Sequence, residues 1–340
     1  MYSPKTLLRG CFAGILLAAA TLHAGVSVHS SKRYYQNSSG EPVFLVGYYH
    51  WAAMNNADFI DHPTRYQNIV SNISGYGLNY IRISCGINRF TGSTNPKSWN
   101  NKENAVPFKY VNGKADLDQW DERFWTGLKD QVKYAADRGV IVHVTIFDGV
   151  DIRGGSQAYR WTNSFWNIDN QTKNFYGDVD SNNSGSADQR GEFYRLSDFN
   201  NNSGIGRYQR KLIDRVIKEV GSANNVFLEI GNETFGADKT WANAVGAYIK
   251  GKTNLPVTFN PYTVENLSGL ELDGEDVDEP PEERRKNFER LTSAGVYVRG
   301  HENCHAKFAI AYDSVAVLGS ANFIRNAFDW TGEANILLVD

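Results

Sequence analysis

Between Val26 and Asn260, short apolar runs alternate with segments whose apolar residues recur at helical spacing, and few folds accept that rhythm. The strand candidates are Pro42–Trp51, Leu78–Ser84, Val140–Phe147, Val226–Ile230 and Leu255–Phe259. Between them, Ile69, Val70 and Ile73 mark a helix over Thr64–Ser74 that stops at Gly75. Trp120, Phe124, Leu128 and Val132 mark a second, ending at Gly139. Ile205, Tyr208, Leu212, Val216 and Val220 mark a third, ended by Gly221, and Trp241, Val245 and Tyr248 a fourth. These glycines stand where left-handed helix stops are expected. Strands apolar along their whole length, separated by amphipathic helices, predict a parallel sheet with helices outside it. The polar stretch Asp151–Asn202 is expected to be a loop insertion, of the kind that builds binding sites at the carboxyl ends of strands.

A chain of 340 residues has room for one large domain or two ordinary ones. Its net charge of -3 does not indicate nucleic acid as a partner, so phosphate binding would have to be local. Aromatics are 13% of the residues and keep company with many Asn, a composition suited to sugar binding and equally to an aromatic core. At the N-terminus Lys5 and Arg9 precede the short apolar run Cys11–Ala20, with small residues following at Ala24-Gly25. That is the pattern of a secretory signal peptide over residues 1–24, a retained anchor being the alternative, and the expected location is secreted or periplasmic. No later run approaches the roughly 18 apolar residues of a membrane span. Past residue 24 the cysteines are Cys85 and Cys304, which make neither a disulfide framework nor a metal-ligand spacing, so no metal and no cofactor is expected.

After Asn260 the character changes. Glu271–Glu283 is acidic, and Pro280-Pro281 is placed to open a helix over about 282–294 that stops at Gly295. The acidic run reads as a linker at a domain seam, or as a solvated helix entry. Val296–Arg299, Ala306–Tyr312, Val315–Leu318 and Ile336–Val339 follow as strand candidates.

Two constellations carry chemistry. In the first, Val226–Ile230 runs through Gly231 into Asn232-Glu233. A carboxylate that ends a parallel strand points to the mouth of the sheet, where substrates bind in such folds. Asn232 and Glu233 also suit the cap of the next helix, and that reading stays open. Together with Gly77–Ser84, which contains Arg82, the Asn-Glu pair resembles the clan of barrel glycoside hydrolases that includes the family 5 cellulases. The resemblance covers about residues 26–260 and implies Glu233 as acid/base, with Asn232 and Arg82 as substrate-binding residues. Such a barrel typically needs about 250 residues or more and a second carboxylate. Only five strand-helix units fit here, and Asp148 and Glu229 are the carboxylates close enough in the pattern to stand in for the clan's nucleophile.

In the second, His305 and Lys307 lie two apart in a strand candidate and so share a face, and Gly319-Ser320-Ala321-Asn322 follows as a small polar turn. His-x-Lys followed by Gly-Ser-x-Asn resembles the active-site motif of the phospholipase D superfamily, over about residues 292–340. That resemblance implies His305 as the nucleophile that becomes a phosphohistidine. It implies Lys307, Ser320 and Asn322 as phosphate-holding residues, and Asp313 and Glu333 as supporting acids. The motif's Asp position is Tyr312 here, one residue ahead of Asp313. His301 and Cys304 are nearby and read as incidental. His305-Ala306-Lys307 is the only His-x-Lys in the chain, and the superfamily brings two copies to one centre, so an active enzyme implies a homodimer.

The expected architecture is therefore α/β: a partial TIM-barrel-like region over 25–260, an acidic linker over 261–283, and a partial phospholipase D-like module over 284–340. The expected function is phosphodiester hydrolysis at His305. The alternatives are glycoside hydrolysis at Glu233 and an inactive hybrid that binds carbohydrate.

Overall fold

A computed structural model of the protein describes residues 25–30, 34–43, 45–49, 54, 63–85, 106–152, 164–167, 169, 171–173, 193–234, 239–260, 274–275, 304–311 and 316–323. The expected signal segment, the helix over 282–294 and the strands at 296–299 and 336–339 lie outside these residues, as do His301, Tyr312, Asp313 and Glu333. In chain order the elements are β1 (Ser27–Val28), β2 (Tyr35–Gln36), β3 (Pro42–Val43), β4 (Gly47–Tyr49), α1 (Thr64–Gly75) and β5 (Tyr80–Ser84). Then come β6 (Phe108–Val111), β7 (Lys114–Trp120), α2 (Glu122–Ala136), β8 (Ile141–Asp148) and a 3-10 turn over Gly149–Ile152. The helices α3 (Leu196–Asn201) and α4 (Gly204–Val220), β9 (Val226–Asn232), α5 (Lys239–Lys250) and β10 (Val257–Phe259) follow. Last are β11 (Gly274–Glu275), β12 (Cys304–Ala311) and β13 (Ala316–Phe323).

The main sheet has the order β4-β5-β8-β9-β10-β11, and every neighbouring pair is parallel. Every residue of β5, β8 and β9 is buried, as a sheet covered on both faces requires. The outward set Ile81, Ile83, Val142, Val144, Leu228 and Ile230 shares one core with Val70, Phe124, Leu128, Leu212, Val216 and Val245 from the helices. The inward set begins with an apolar floor of Tyr80, Ile141 and Phe227, against which Val26, Tyr35, Val43 and Leu45 pack. Two residues further along the same three strands, Arg82, His143 and Glu229 make the next layer polar. This is a partial TIM-barrel-like region, floored by the small antiparallel sheet β1-β2-β3.

Several elements differ from the sequence reading. Pro42–Trp51 is not one strand: β3 joins the floor sheet and β4 the main sheet. Trp120 ends β7 rather than starting the second helix, which begins at Glu122 after Asp121 accepts the Arg123 N–H as an N-cap. The β6-β7 hairpin turns on Asn112-Gly113 with φ of 50° and 81°, the two positive values of a type I′ turn. Of the three glycines expected at left-handed stops, Gly139 has φ 72° and Gly221 stays right-handed. Gly75 is helical, and Gly77, with φ 73°, takes the role expected of it. Asp151–Asn202 is more than a loop: Phe165, Trp166, Phe193 and Phe199 within it are buried in the core. Gly319–Asn322, expected as a turn, lies inside β13. Gly274 and Glu275, from the acidic run, pair with β10 and extend the sheet.

Candidate functional sites

The carboxyl ends of β4, β5, β8, β9 and β10 bring one set of polar side chains together. At its centre is Arg82, only 1% exposed, whose guanidinium pairs with Glu229 through Nη2 to Oε1 and through Nε to Oε2 at 2.8 Å. Glu229 is fully buried and also accepts from the Thr145 hydroxyl. The same Arg82 Nη2 donates to Asn232 Oδ1 at 2.9 Å. In a regular strand, residues three apart face opposite ways. Glu229 and Asn232 nevertheless reach one guanidinium, so β9 turns over at Gly231 between them. A Cβ at Gly231 would lie 2.5 Å from Thr234 Cγ2, so any larger residue would have to displace the Thr234 side chain.

Asn232 is held from three sides. Its Oδ1 accepts from Arg82 and, at 3.4 Å, from Asn260 Nδ2, while its Nδ2 donates to Asp148 Oδ1 at 3.3 Å. Asp148 ends β8 and is paired in register with Asn232. Asn260, just past β10, also clamps the following turn: its carbonyl accepts from Thr234 N–H at 3.2 Å and its own N–H donates to Gly231 O at 3.1 Å. Within that turn Glu233 is half-buried, with φ 46°, a left-handed backbone that few residues other than glycine adopt. Gly149 makes the turn possible from the β8 side, since a Cβ there would fall 2.5 Å from Glu233 O and 2.6 Å from Asn232 O.

Tyr49, at the end of β4, lies over Arg82 with the guanidinium carbon 4.6 Å from its ring centre. Burial holds its hydroxyl well above the ordinary tyrosine range; Arg82 opposes this, and Asp148, Glu229 and Glu233 reinforce it. Below, His143 is fixed between the Tyr80 hydroxyl at 2.8 Å and Thr258 Oγ1 at 2.9 Å, with its ring 4.0 Å from that of Phe227.

Arg82, Asn232 and Asp148 are hydrogen-bonded together near the ends of their strands, and Glu233 follows Asn232 in the chain. Arg82 differs in role: buried at 1%, it lies beneath the mouth and positions Asn232 instead of facing a substrate. Glu229 likewise cannot stand in for the clan's nucleophile, because it is buried in mid-strand as the partner of Arg82. Tyr49, Asn260 and Thr145 are missed by the sequence reading. Asn260 had a signal, as a polar residue at a strand end, whereas Tyr49 sits in an aromatic run that favours no single member.

At the other end of the chain β12 and β13 form an antiparallel hairpin whose register sets His305 opposite Asn322 and Lys307 opposite Ser320. Cross-strand partners share a face of the sheet, so all four motif positions belong to one face. Among the described residues no group of three or more His, Cys, Asp or Glu could hold a metal ion. No helix among them is long and apolar enough to cross a membrane.

Residues 250–340 match the family model described as a cardiolipin synthase, PLD-like domain. The C-terminal segment is PLD-like. The PLD-like match includes β10 and β11 of the main sheet. Solved structures similar to the chain include a glycoside hydrolase family 5 mannosidase from Rhizomucor miehei, with a TM-score of 0.48 and 15% identity. That match covers 73% of this chain and 57% of the other. An endo-1,4-beta-mannanase from Eisenia fetida has a TM-score of 0.40 and 14% identity, over 70% of this chain and 62% of that one. The chain thus spans less than two thirds of the length of either structure. A search of curated proteins finds no match.

Proposed function

We propose that the protein is a hydrolase whose PLD-like segment cleaves phosphodiesters through His305. The observation behind this reading is the register of β12 and β13, in which His305 pairs with Asn322 and Lys307 with Ser320. In the chemistry this motif performs, an imidazole nitrogen of His305 attacks phosphorus, the P–O ester bond breaks, and the leaving alcohol takes a proton from a second histidine. Water then attacks the phosphohistidine, giving up its proton to that second histidine and freeing His305. Lys307 supplies positive charge to the phosphate oxygens, and Ser320 and Asn322 supply donors to them.

One chain provides one such histidine, so the active species is a homodimer with the second motif from the partner copy. The test is hydrolysis of bis(4-nitrophenyl) phosphate by the full chain. His305→Ala should abolish it, Lys307→Ala should weaken it severely, and a chelator should leave it unchanged. The loss at His305 should reach several orders of magnitude, each roughly 1.4 kcal/mol of barrier being tenfold in rate. Activity in a monomeric sample, or activity that survives His305→Ala, overturns the reading.

A second reading, glycoside hydrolysis at the barrel mouth, is favoured by the fixed Asn232 side chain beside Glu233. The Asn232 amide carries two protons, and Asp148 takes one, leaving the other to meet a sugar hydroxyl. Glu233 would act as general acid, and Asp148 on the adjacent strand is the candidate second carboxylate. Hydrolysis of an aryl glycoside, lost in Glu233→Gln and in Asp148→Asn, is the expected result. Absence of turnover in the unaltered protein leaves the mouth a carbohydrate-binding site at most.

A further inference from the structure

A cleft of about 440 Å³ runs along the outer face of α4, with Trp120 and Tyr248 in its walls. The helix gives its apolar positions Ile205, Leu212, Val216 and Val220 to the core. Arg207, Arg210, Lys211, Arg215 and Lys218 fall on the other side and line the cleft, with Asp214 as the only acidic residue among its described walls.

Pairing separates the two kinds of cation. Lys211 is tied to Asp118 at 3.0 Å, and Arg215 to Glu122 at 2.6 Å and Glu219 at 2.9 Å. Asp214 is occupied by the Tyr248 hydroxyl at 3.0 Å and by Lys252 at 2.8 Å. Among the described residues no carboxylate is within ion-pair distance of Arg207, Arg210 or Lys218. Arg210 is nonetheless fixed in place: its Nε and Nη2 donate to the carbonyls of Phe199 at 2.6 Å and Asn200 at 3.1 Å, and its guanidinium carbon lies 4.5 Å from the Tyr248 ring centre.

We propose that this cleft binds a short linear polyanion bearing phosphate or sulfate groups. Guanidinium groups one helical turn apart at Arg207 and Arg210 match an anion with several acceptor oxygens. Lys218 lies eight residues beyond Arg210, about 12 Å along the helix at about 1.5 Å per residue, a separation that a ligand with several charges can span. The spacing therefore calls for a ligand with repeated charges. The cavity volume is in the range of small-ligand sites, roughly 300–1,000 Å³. Because the whole chain carries a charge of -3, the cation surplus is local and offers no extended track for a long nucleic acid.

The experiment is calorimetric titration of the full chain with tripolyphosphate, with a sulfated oligosaccharide and with orthophosphate. Saturable binding that weakens with added salt is expected for one of the first two, and the tighter of them identifies the anion. The double variant R207A/K218A should bind at least tenfold more weakly while melting at nearly the same temperature, because neither side chain makes a hydrogen bond to another described residue and the Arg207 guanidinium lies only loosely over Tyr208, 5.6 Å from its ring centre. His305→Ala should bind as the unaltered chain does, which separates this cleft from the phosphodiesterase site. Orthophosphate binding as tightly as tripolyphosphate overturns the argument from spacing. So does a double variant that binds undiminished, or an unaltered chain that shows no saturable binding to either polyanion.

Discussion

Arg82 and Glu229 show how a residue's chemistry is readable from sequence while its role is not. Both are visible as charged residues inside apolar strands, which already implies a paired buried charge. That they pair with each other, and that the guanidinium then reaches Asn232, depends on strand order and on the turn-over at Gly231. Breaking such a pair leaves an uncompensated buried charge, at a cost of about 3–5 kcal/mol. Arg82→Ala or Glu229→Ala should lower the urea midpoint accordingly, whereas the joint replacement Arg82→Met with Glu229→Leu should recover much of the loss. If the joint variant is as unstable as the singles, the pair is not what makes those changes costly. Glu233 gives the opposite expectation. Its left-handed backbone costs roughly 1–2 kcal/mol. Glu233→Gly should therefore stabilise the chain, by about 1 kcal/mol, while removing the carboxylate on which the glycosidase reading rests. A drop in melting temperature would mean that the side chain, not the backbone, dominates at that position.

The helices α1, α2, α4 and α5 and the strands β5, β8, β9 and β10 are legible because their apolar periods are long and regular. The misreadings fall where a local signal was weaker than tertiary context or was overlooked. Asn112-Gly113 is a plain type I′ hairpin sequence, and the apolar spacing of the helix that follows drew Trp120 out of that hairpin. The aromatics of Asp151–Asn202 sit in polar surroundings with no period, so only the packed structure reveals Phe165, Trp166 and Phe193 as core. Helix stops are testable at this scale. At the end of α2, Val140 N–H reaches back to Ala135 O at 2.9 Å and Gly139 takes φ 72°. Gly139→Ala should cost about 1–2 kcal/mol, read from thermal unfolding, because its Cβ meets the following carbonyl in the left-handed region. A cost near zero would mean the turn relaxes into another stop.

At the scale of the whole molecule, contacts between distant segments contribute to the response to acid. Burial pushes Asp116 up, but the Asp118 N–H, the Gln119 amide and Lys173 outweigh it and hold its carboxyl at about 2. Asp118 is also lowered, first by its hydrogen bond to Lys173 and then, against its burial, by Lys211. A carboxyl lowered by folding stabilises fully above its unfolded pKa of about 3.9, and that contribution fades as pH falls through the folded value. Between about pH 4 and pH 2 the unaltered chain should lose stability more steeply than Asp116→Asn, as measured by unfolding at each pH; parallel curves would remove Asp116 from the acid limb. The PLD-like match, meanwhile, reaches into the barrel sheet, because β10 pairs with β9 and Asn260 clamps the turn that carries Glu233. The two halves of the chain are consequently not separable goods. A truncation before residue 250 would strip β9 of its hydrogen-bonding neighbour, expose a long apolar edge ready to recruit another copy, and release the Asn-Glu turn at the same stroke. A cut before residue 250 should therefore yield aggregate in place of two smaller proteins.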